Sequence, residues 1–376
     1  MVNPFFTDIL GPRFNPAAVL DISSGDKVLV LSDLHMGDGG RGDDLLQNGA
    51  FLTKILEYYY LEQGWRLILN GDIEELQRYS LGAIKNQWRD LYRVFDGFAA
   101  QGGLYKTLGN HDEDLIFEKS YPYPLYNAVR IETGLIPIYV FHGHQSSKIY
   151  TNYNNLIRLG LRYLLRPFGI RNISSARSPH RRFYVEKQAY GFSLANDCIS
   201  IIGHTHRPLF ESLGRFDYIK FEIERLCRDY PASEGTEKER IAAEVAALRV
   251  DLGNLKHSER RNVLRQSLYG DEFPVPCLFN SGSAIGRKGI TALELNREKI
   301  ALVYWFVEGK GKRFVSRGGY RLKKLGKYRR AVLNQDRLDY VKARIALLGR
   351  SGASAPRSKQ RRASKPPRSP TQTPRG

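Results

Sequence analysis

The sequence predicts an α/β protein built around a parallel sheet, because short apolar runs alternate with amphipathic helical stretches. Runs rich in Val, Ile and Leu at 27–32, 66–70, 104–108 and 136–141 have the length and composition of buried strands. Between the first three of these runs, residues 43–63 and 76–100 have helical periodicity. This alternation of strand and helix is typical of βαβ crossovers.

Further strands are predicted downstream, with fewer helices between them, at 198–203, 276–279, 291–295 and 300–306. Two sheets with helices outside them is the architecture that this order favours.

Two segments are interpreted as insertions. Residues 145–199 form a basic, cap-like insertion with nine Lys+Arg against two acidic residues. Residues 209–272 carry two apolar seams, which predict a helical hairpin that packs on itself or, as an alternative, forms a homodimer contact.

The net charge of +19 is confined to the C-terminus. Residues 310–376 contain 21 Lys+Arg and two Asp, whereas the other 309 residues contain 37 basic and 37 acidic groups. We therefore predict a neutral catalytic domain over 1–319, a basic amphipathic helix over 320–348 and a disordered Ser/Pro/Arg-rich tail over 349–376. A basic arm of this kind favours a polyanionic partner, either nucleic acid or an anionic membrane surface.

Composition also restricts the compartment that we expect. No stretch approaches about 18 consecutive apolar residues, and the N-terminus lacks the pattern of a signal peptide, so we expect no transmembrane segment and no secretion. Three widely spaced cysteines exclude a disulfide framework and a Cys-rich zinc site. We therefore expect a cytoplasmic protein.

Polar clusters stand at the ends of the predicted strands, and six of the eight histidines lie in them. The clusters are Asp-Leu-His at 33–35, Gly-Asp at 71–72, Gly-Asn-His-Asp at 109–112, His-Gly-His at 142–144 and Gly-His-Thr-His at 203–206. Ligands bind at the carboxyl edge of open α/β sheets, so we expect these side chains to converge. Asp, Asn and His are the mixed oxygen and nitrogen ligands that suit Mn, Fe, Zn or Ni.

One carboxylate that contacts two such ions can hold them about 3.5–4 Å apart, and the pair lowers the pKa of a shared water. The resulting bridging hydroxide can attack phosphorus in line while both cations neutralise charge on the phosphoryl oxygens. The clusters therefore predict a site for two divalent metal ions and the hydrolysis of a phosphorylated substrate.

In their order and composition, the five clusters resemble the calcineurin-like metallophosphoesterase superfamily over residues 33–206, and residues 280–283 resemble a turn that often follows. The resemblance implies a four-layer αββα sandwich and a dinuclear site. We expect two divalent metal ions there, with Mn as the first choice and Fe, Zn or Ni as alternatives. It implies Asp33, His35 and His206 for the first ion, Asn110, His142 and His204 for the second, and Asp72 as the bridge. It also implies that His111 stands beside the leaving group as an acid or electrostatic donor and that Glu75 orients it.

Other residues are candidates for substrate contact. His144 lies two positions from the predicted ligand His142, and Arg158 and Arg162 share one face of a predicted helix in the basic insertion. The expected activity is hydrolysis of a phosphomonoester, phosphodiester or pyrophosphate bond. One alternative is a nuclease or nucleic-acid phosphodiesterase that uses the basic arm.

A second alternative is a lipid pyrophosphatase similar to UDP-2,3-diacylglucosamine hydrolase. The residues at 33–35 and 71–75 and the basic insertion are similar to that branch, although the branch has Arg where this chain has His111. A third alternative is a non-catalytic scaffold that has lost its metals. Such a scaffold is disfavoured because this chain retains all seven predicted ligands.

Overall fold

The computed structural model describes residues 18–146, 179–210, 230–254, 275–285, 289–309 and 322–348, together with 223, 226 and 227. It is a mixed α/β protein with two sheets and, in these ranges, six α-helices. The helices are α1 (Gly49–Ile55), α2 (Leu81–Gln87), α3 (Arg89–Ala100), α4 (Pro179–Ala195), α5 (Gly235–Asn254) and α6 (Leu338–Leu348). A single π-helical turn (Leu56–Leu61) continues α1, and 3-10 turns occur at Glu113–Phe117, His144–Ser146 and Tyr230–Ala232.

The strands in chain order are β1 (Ala18–Asp21), β2 (Lys27–Leu31), β3 (Arg66–Asn70), β4 (Leu104–Thr107), β5 (Leu125–Tyr126), β6 (Val129–Glu132), β7 (Ile138–Val140), β8 (Ile199–Ile202), β9 (Leu209–Phe210), β10 (Leu278–Asn280), β11 (Ile290–Asn296), β12 (Lys299–Val307), β13 (Leu322–Leu325) and β14 (Tyr328–Arg337). The larger sheet has the order β13-β14-β12-β11-β2-β3-β4-β5, and the smaller has the order β1-β6-β7-β8-β10-β9. Strands β2 to β5 are parallel, as the alternation of strand and helix predicted.

Alternation along β2 shows how the layers pack. Leu29 faces a core shared with α1, α2 and α3, whereas Val28 faces a second core shared with Val129 of the smaller sheet. Helix α4 covers the other side of the smaller sheet, where Phe192 contacts Phe141 with ring centroids 6.1 Å apart. Full burial of one such side chain contributes roughly 1.5–3 kcal/mol, so these cores fix the two sheets and the strand ends that they carry.

The C-terminal basic segment differs from the predicted helix over 320–348. Residues 322–337 form a β-hairpin, and only α6 is helical. The spacing of Leu322, Leu325 and Val332 is compatible with a helix, but pairing of β14 with β12 along its whole length decides the conformation. Gly326, with φ of 53°, makes the tight turn and was the local signal for a hairpin.

The predicted insertions are described in part. Arg158 and Arg162 lie in 147–178, outside the described residues, and α4 follows that segment. The second insertion contributes α5, on which Ile241 is buried and Val250 is 63% exposed. Residues 211–222, 255–274 and 349–376 are also outside the described residues, so the helical hairpin, its homodimer contact and the disordered tail stay predictions. Within the described part, no helix has the length and apolar character needed to span a membrane.

Candidate metal centre

The predicted ligands come from loops at the carboxyl ends of five strands that belong to both sheets. Asp33 and His35 follow β2, Asp72 follows β3, Asn110 and His111 follow β4, His142 follows β7, and His204 and His206 follow β8. The side chains of these residues other than Asn110 meet at one edge of the molecule, although they are spread over more than 170 positions of the sequence. This convergence was the main geometric expectation from the sequence.

Three of these residues, which we call the first ligand group, are Asp33, His35 and His206. The Nε2 atoms of His35 and His206 are 3.1 Å apart, and His206 Nε2 is also 3.1 Å from Asp33 Oδ1. Donor atoms about 2.1 Å from one cation stand roughly 3 Å from each other. The spacing therefore fits a shared cation better than a set of separate hydrogen bonds.

The second ligand group consists of Asp72, His142 and His204, all of which are buried. His142 Nε2 lies 3.0 Å from Asp72 Oδ2 without hydrogen-bonding geometry, and among the described residues His204 Nε2 has no hydrogen-bond partner. Leaving a buried ring nitrogen without a partner costs about 1–3 kcal/mol. A cation between these atoms would remove that cost, so the donor set fits a bound metal.

Asp72, a member of the second group, also lies near the first group. Its Oδ2 is 3.0 Å from His142 Nε2 in the second group and 3.9 Å from His35 Nε2 in the first. Its Oδ1 accepts a hydrogen bond from the backbone N–H of His111 at 2.8 Å, which places Asn110 and His111 beside it. One carboxylate thus lies near both groups, as a bridging ligand must.

The backbone is strained where these ligands sit. Left-handed φ angles occur at Asp33 (55°), His35 (48°), Asp72 (53°), His204 (62°) and His206 (53°). Among the described residues, Asp197 is the only other non-glycine with positive φ. Each such conformation costs roughly 1–3 kcal/mol, and strain of this kind concentrates at functional sites, where the surrounding structure enforces it. The strain therefore marks the predicted ligands independently of any sequence motif.

Two glycines allow the loops to approach each other. A Cβ on Gly109 would lie 2.2 Å from Asp72 Oδ1, and a Cβ on Gly203 would lie 2.7 Å from Asp33 Oδ2. Neither distance is sterically possible, and the neighbouring atoms belong to proposed ligands that cannot move away freely. These glycines therefore permit close packing of the loops that carry the proposed ligands.

Hydrogen bonds to Nδ1 orient the imidazoles. Glu75 contacts two of them, because its Oε2 is 3.0 Å from His35 Nδ1 and its Oε1 is 2.9 Å from His111 Nδ1. His142 Nδ1 donates instead to the backbone carbonyl of Asn70 at 2.9 Å. A proton held on Nδ1 leaves the lone pair on Nε2, so His35 and His142 both present Nε2 to the site.

The pKa values of several groups at the site, in the absence of a metal, favour the binding of a cation. Burial raises the pKa of Asp72, but the charges on His142 and His111 outweigh it and hold the pKa well below its usual value. Burial also raises the pKa of Glu75, yet hydrogen bonds with two histidines bring it down to about 2. Burial and the adjacent His142 lower the pKa of His204 to about 3. The carboxylates are therefore ionised and His204 is neutral, which are the states that bind metal.

His111 and His142 behave differently from His204. Burial lowers the pKa of His142, but nearby Asp72 outweighs burial and raises the pKa to about 9. The pKa of His111 is likewise raised, because Asp72 and Glu75 outweigh its burial. In the protein alone, both imidazoles therefore favour the protonated form, so a metal ion would have to displace a proton from His142 Nε2. The side chain of His111 is 14% exposed.

A buried ion cluster below the loops was not predicted from the sequence. Asp112 accepts hydrogen bonds from the N–H groups of Gly109 at 2.6 Å and Ile73 at 2.8 Å, which ties the loop after β3 to the loop after β4. The fully buried Lys106 donates to Asp112 and lies 3.4 Å from Glu74. A lysine in the short strand β4 was the available signal, but its partners could not be identified from sequence spacing.

The predicted substrate contacts are placed unequally. His144 is buried beside the second ligand group, with ring centroids 5.3 Å from His142 and 6.2 Å from His204. The arginines at 158 and 162 lie outside the described residues. A contact between His144 and substrate therefore stays a prediction, as do the contacts of the two arginines.

Comparisons with known proteins give similarity at the level of solved structures. No protein-family model and no curated protein matches this chain. Similar solved structures include a predicted phosphoesterase from Streptococcus pneumoniae, with 13% identity over 75% of this chain and 89% of that chain and a TM-score of 0.26. A single mutant of Vps29 from Entamoeba histolytica has 13% identity over 82% of this chain and 99% of that chain, with a TM-score of 0.30.

Yfce, a phosphoesterase from E. coli, has 12% identity over 73% of this chain and 91% of that chain, with a TM-score of 0.31. At these identities and TM-scores the similarity is too low to assign a family or an activity. Support for a function must come from the site itself.

Proposed function

We propose that this chain is a dinuclear metal-dependent phosphoesterase that hydrolyses phosphomonoester, phosphodiester or pyrophosphate bonds. The observation that carries the proposal is the left-handed backbone at five of the seven proposed ligands, whose side chains converge from separate strand ends. Backbone strain at five positions of one site supports a shared functional role for these residues, and we infer that this role is metal binding. The αββα layering of the metallophosphoesterase fold is part of this proposal.

Asp33, His35 and His206 would hold one ion, Asn110, His142 and His204 would hold the other, and Asp72 would contact both. When bound, the ions supply Lewis acidity and a water of lowered pKa, with Mn as the proposed metal and Fe, Zn or Ni as alternatives. Ligands anchored on strands of two sheets keep the donors in place before substrate arrives, so little reorganisation is needed.

The proton donor to the leaving group is His111. Its Nδ1 is held by Glu75 at 2.9 Å, so Nε2 is the atom that faces the leaving oxygen. The raised pKa of His111 favours the protonated ring, and donation from Nε2 would prevent an alkoxide from leaving unprotonated. Glu75 is a positioning residue in this scheme, because it contacts the ligand His35 and the acid His111 together.

The proposal is tested by metal analysis joined to an activity screen. Purified protein reloaded with Mn²⁺ should contain about two equivalents per chain and should hydrolyse an aryl monoester, an aryl diester or an aryl pyrophosphate analogue. Protein that binds less than one equivalent and shows no turnover with any of the three substrates would contradict the proposal and would favour a scaffold.

A second candidate is a phosphodiesterase that acts on nucleic acid. Lys323, Lys324 and Lys327 are exposed on the C-terminal hairpin, and residues 349–376 add eight Lys+Arg with no acidic residue. Contacts with a phosphate backbone through such groups are salt-sensitive and independent of sequence. The hairpin and α6 belong to the folded body, so the suitable variant is a deletion of 349–376 rather than of the whole basic segment.

The deletion should weaken binding to single-stranded DNA and RNA at moderate salt and leave turnover of an aryl substrate unchanged. Anionic vesicles are the third ligand to be tested. If the tail prefers a membrane surface, the deletion should weaken binding to vesicles instead. Equal binding of all three by the full chain and the deletion variant would exclude a polyanion-binding role for the tail.

A further inference from the structure

Glu186 is a buried carboxylate on α4 that contacts the loop carrying two proposed ligands. Only 1% of it is exposed. Its Oε1 accepts hydrogen bonds from Thr205 Oγ1 and from Arg207 Nε, both at 3.1 Å, and its Oε2 accepts one from Arg207 Nη2. Thr205 and Arg207 flank His206 in the chain, so one carboxylate holds the residues on both sides of a proposed ligand.

The same loop is held from two other directions. Asn280, at the end of β10, donates from Nδ2 to the carbonyl of Gly203 at 2.9 Å and to Thr205 Oγ1 at 3.0 Å. The backbone N–H of His204 lies 3.0 Å from Asp33 Oδ2. Because His204 and His206 both have left-handed backbones, their loop depends on external contacts to keep its shape.

A second cluster of the same chemistry lies elsewhere and shows what a purely structural pair looks like. Glu294, on β11, accepts hydrogen bonds from Tyr60 OH at 2.7 Å and from Arg330 Nε at 2.8 Å, with Arg330 Nη2 on its other oxygen. Both clusters combine a buried glutamate, a hydroxyl and a bidentate arginine. The difference is that neither Tyr60 nor Arg330 adjoins a proposed ligand in the chain.

We propose that Glu186 is a positioning residue for His204 and His206, through which helix α4 of the basic insertion sets the geometry of the metal centre. This inference rests on the proposed function. It follows from the three hydrogen bonds at Glu186, from the strain in the loop that they hold, and from the position of His206 between the two partners. The sequence alone carries no signal for Glu186, because its partners lie about twenty residues away, beyond β8.

The test is a titration of the metal-free full chain with Co²⁺ alone, followed by visible absorption. Glu186→Gln keeps the shape of the side chain but weakens the pair with Arg207. Loss of a residue that orients metal ligands typically weakens metal binding by about 10–100-fold, so we expect a weakening of that size together with altered Co²⁺ absorption bands. The matched control, Glu294→Gln, should lower thermal stability comparably and leave Co²⁺ affinity and spectrum as in the wild type.

Arg207→Lys is the second variant, to be used if Glu186→Gln does not fold. It retains the positive charge on a side chain that is 35% exposed and removes only the bidentate geometry. A Co²⁺ affinity and spectrum unchanged in both variants, with stability reduced as in Glu294→Gln, would assign Glu186 a structural role only and overturn the inference. A wild-type chain that binds no Co²⁺ would instead overturn the proposed function and the inference with it.

Discussion

The first and second ligand groups contain the same side chains, one Asp and two His, but the protein holds them differently. In the first group, His35 is oriented by Glu75, a carboxylate shared with His111, and His206 is 19% exposed. In the second group, His142 is oriented by the backbone carbonyl of Asn70, and the whole group is buried. The first group thus shares a carboxylate with His111, the proposed proton donor, and is partly exposed, whereas the second group is buried and contains a histidine held by the main chain.

This difference indicates a division of roles within one centre. A backbone carbonyl cannot change charge and moves only with its strand, so the second group should hold its ion in a constant position. Glu75 contacts both the proposed ligand His35 and the proposed acid His111, so it would link the first ion to proton transfer. The first group is therefore where substitutions should separate metal binding from turnover.

The largest effect is expected from replacing Asp72, the member of the second group that also lies near the first. Asp72→Asn removes the negative charge that lies near both His35 and His142, so both ions should be lost and activity should fall to background. Metal content by mass spectrometry and turnover of an aryl phosphate measure this. Asp26→Asn, at the opposite end of β2, is the control and should retain both ions. Retention of two equivalents by Asp72→Asn would show that Asp72 is not a bridge.

The next effect concerns the acid that is attached to the first group. His111→Ala should keep both metal equivalents and lose roughly 10²–10⁴ in turnover, because the proton donor is gone while Glu75 still holds His35. Substrates with different leaving groups sharpen the measurement. A dinitrophenyl ester, whose leaving group needs no proton, should lose much less activity than an alkyl ester. An equal loss for both esters would exclude an acid role for His111.

A smaller effect is expected from the residue that orients the first group. Glu75→Gln should weaken binding of the first ion by about 10–100-fold and leave the second ion in place, because Glu75 holds the proposed ligand His35, whereas His142 is held by the carbonyl of Asn70. The adjacent Glu74→Gln is a matched control. Glu74 is also buried, accepts hydrogen bonds from Tyr92 and Tyr121 and lies 3.4 Å from Lys106, so Glu74→Gln should retain both ions. Equal weakening of both ions by Glu75→Gln would contradict the separation of the groups.

The smallest effect is kinetic. Chelation of the loaded protein should proceed in two phases, with the ion of the exposed first group leaving roughly tenfold faster, equivalent to about 1.4 kcal/mol of additional opening free energy for the buried group. His206→Gln should remove the fast phase only. A single phase in the wild type, with the amplitude of two equivalents, would show that exposure does not distinguish the groups.

The convergence of the proposed ligands could be predicted because local signals mark them. Each follows an apolar run that ends at an Asp, Asn or His, often beside a glycine such as Gly109 or Gly203, and strand ends of an α/β fold meet at one edge. The mixed α/β class, the two sheets and the parallel pairing of β2 to β5 are confirmed for the same reason. These features depend on sequence patterns within about ten residues.

The residues that support the ligands could not be predicted in this way. Glu186 accepts a hydrogen bond from Arg207, and Lys106 forms an ion pair with Glu74. Asn70 orients His142 through its backbone carbonyl, which leaves no signal in the side-chain sequence. The hairpin at 322–337 was wrongly predicted as helix because pairing with β12, not local propensity, fixes it. In each case the determining contact joins elements that are distant in sequence.

The most direct test of the dinuclear centre is a crystal structure of the Mn²⁺-loaded protein with anomalous scattering data. Two anomalous peaks about 3.5–4 Å apart are predicted, one touching Asp33, His35 and His206, the other touching His142 and His204, with Asp72 reaching both. Ordered side chains at these positions with no anomalous peak among them, under conditions where free Mn²⁺ is in excess, would contradict the account.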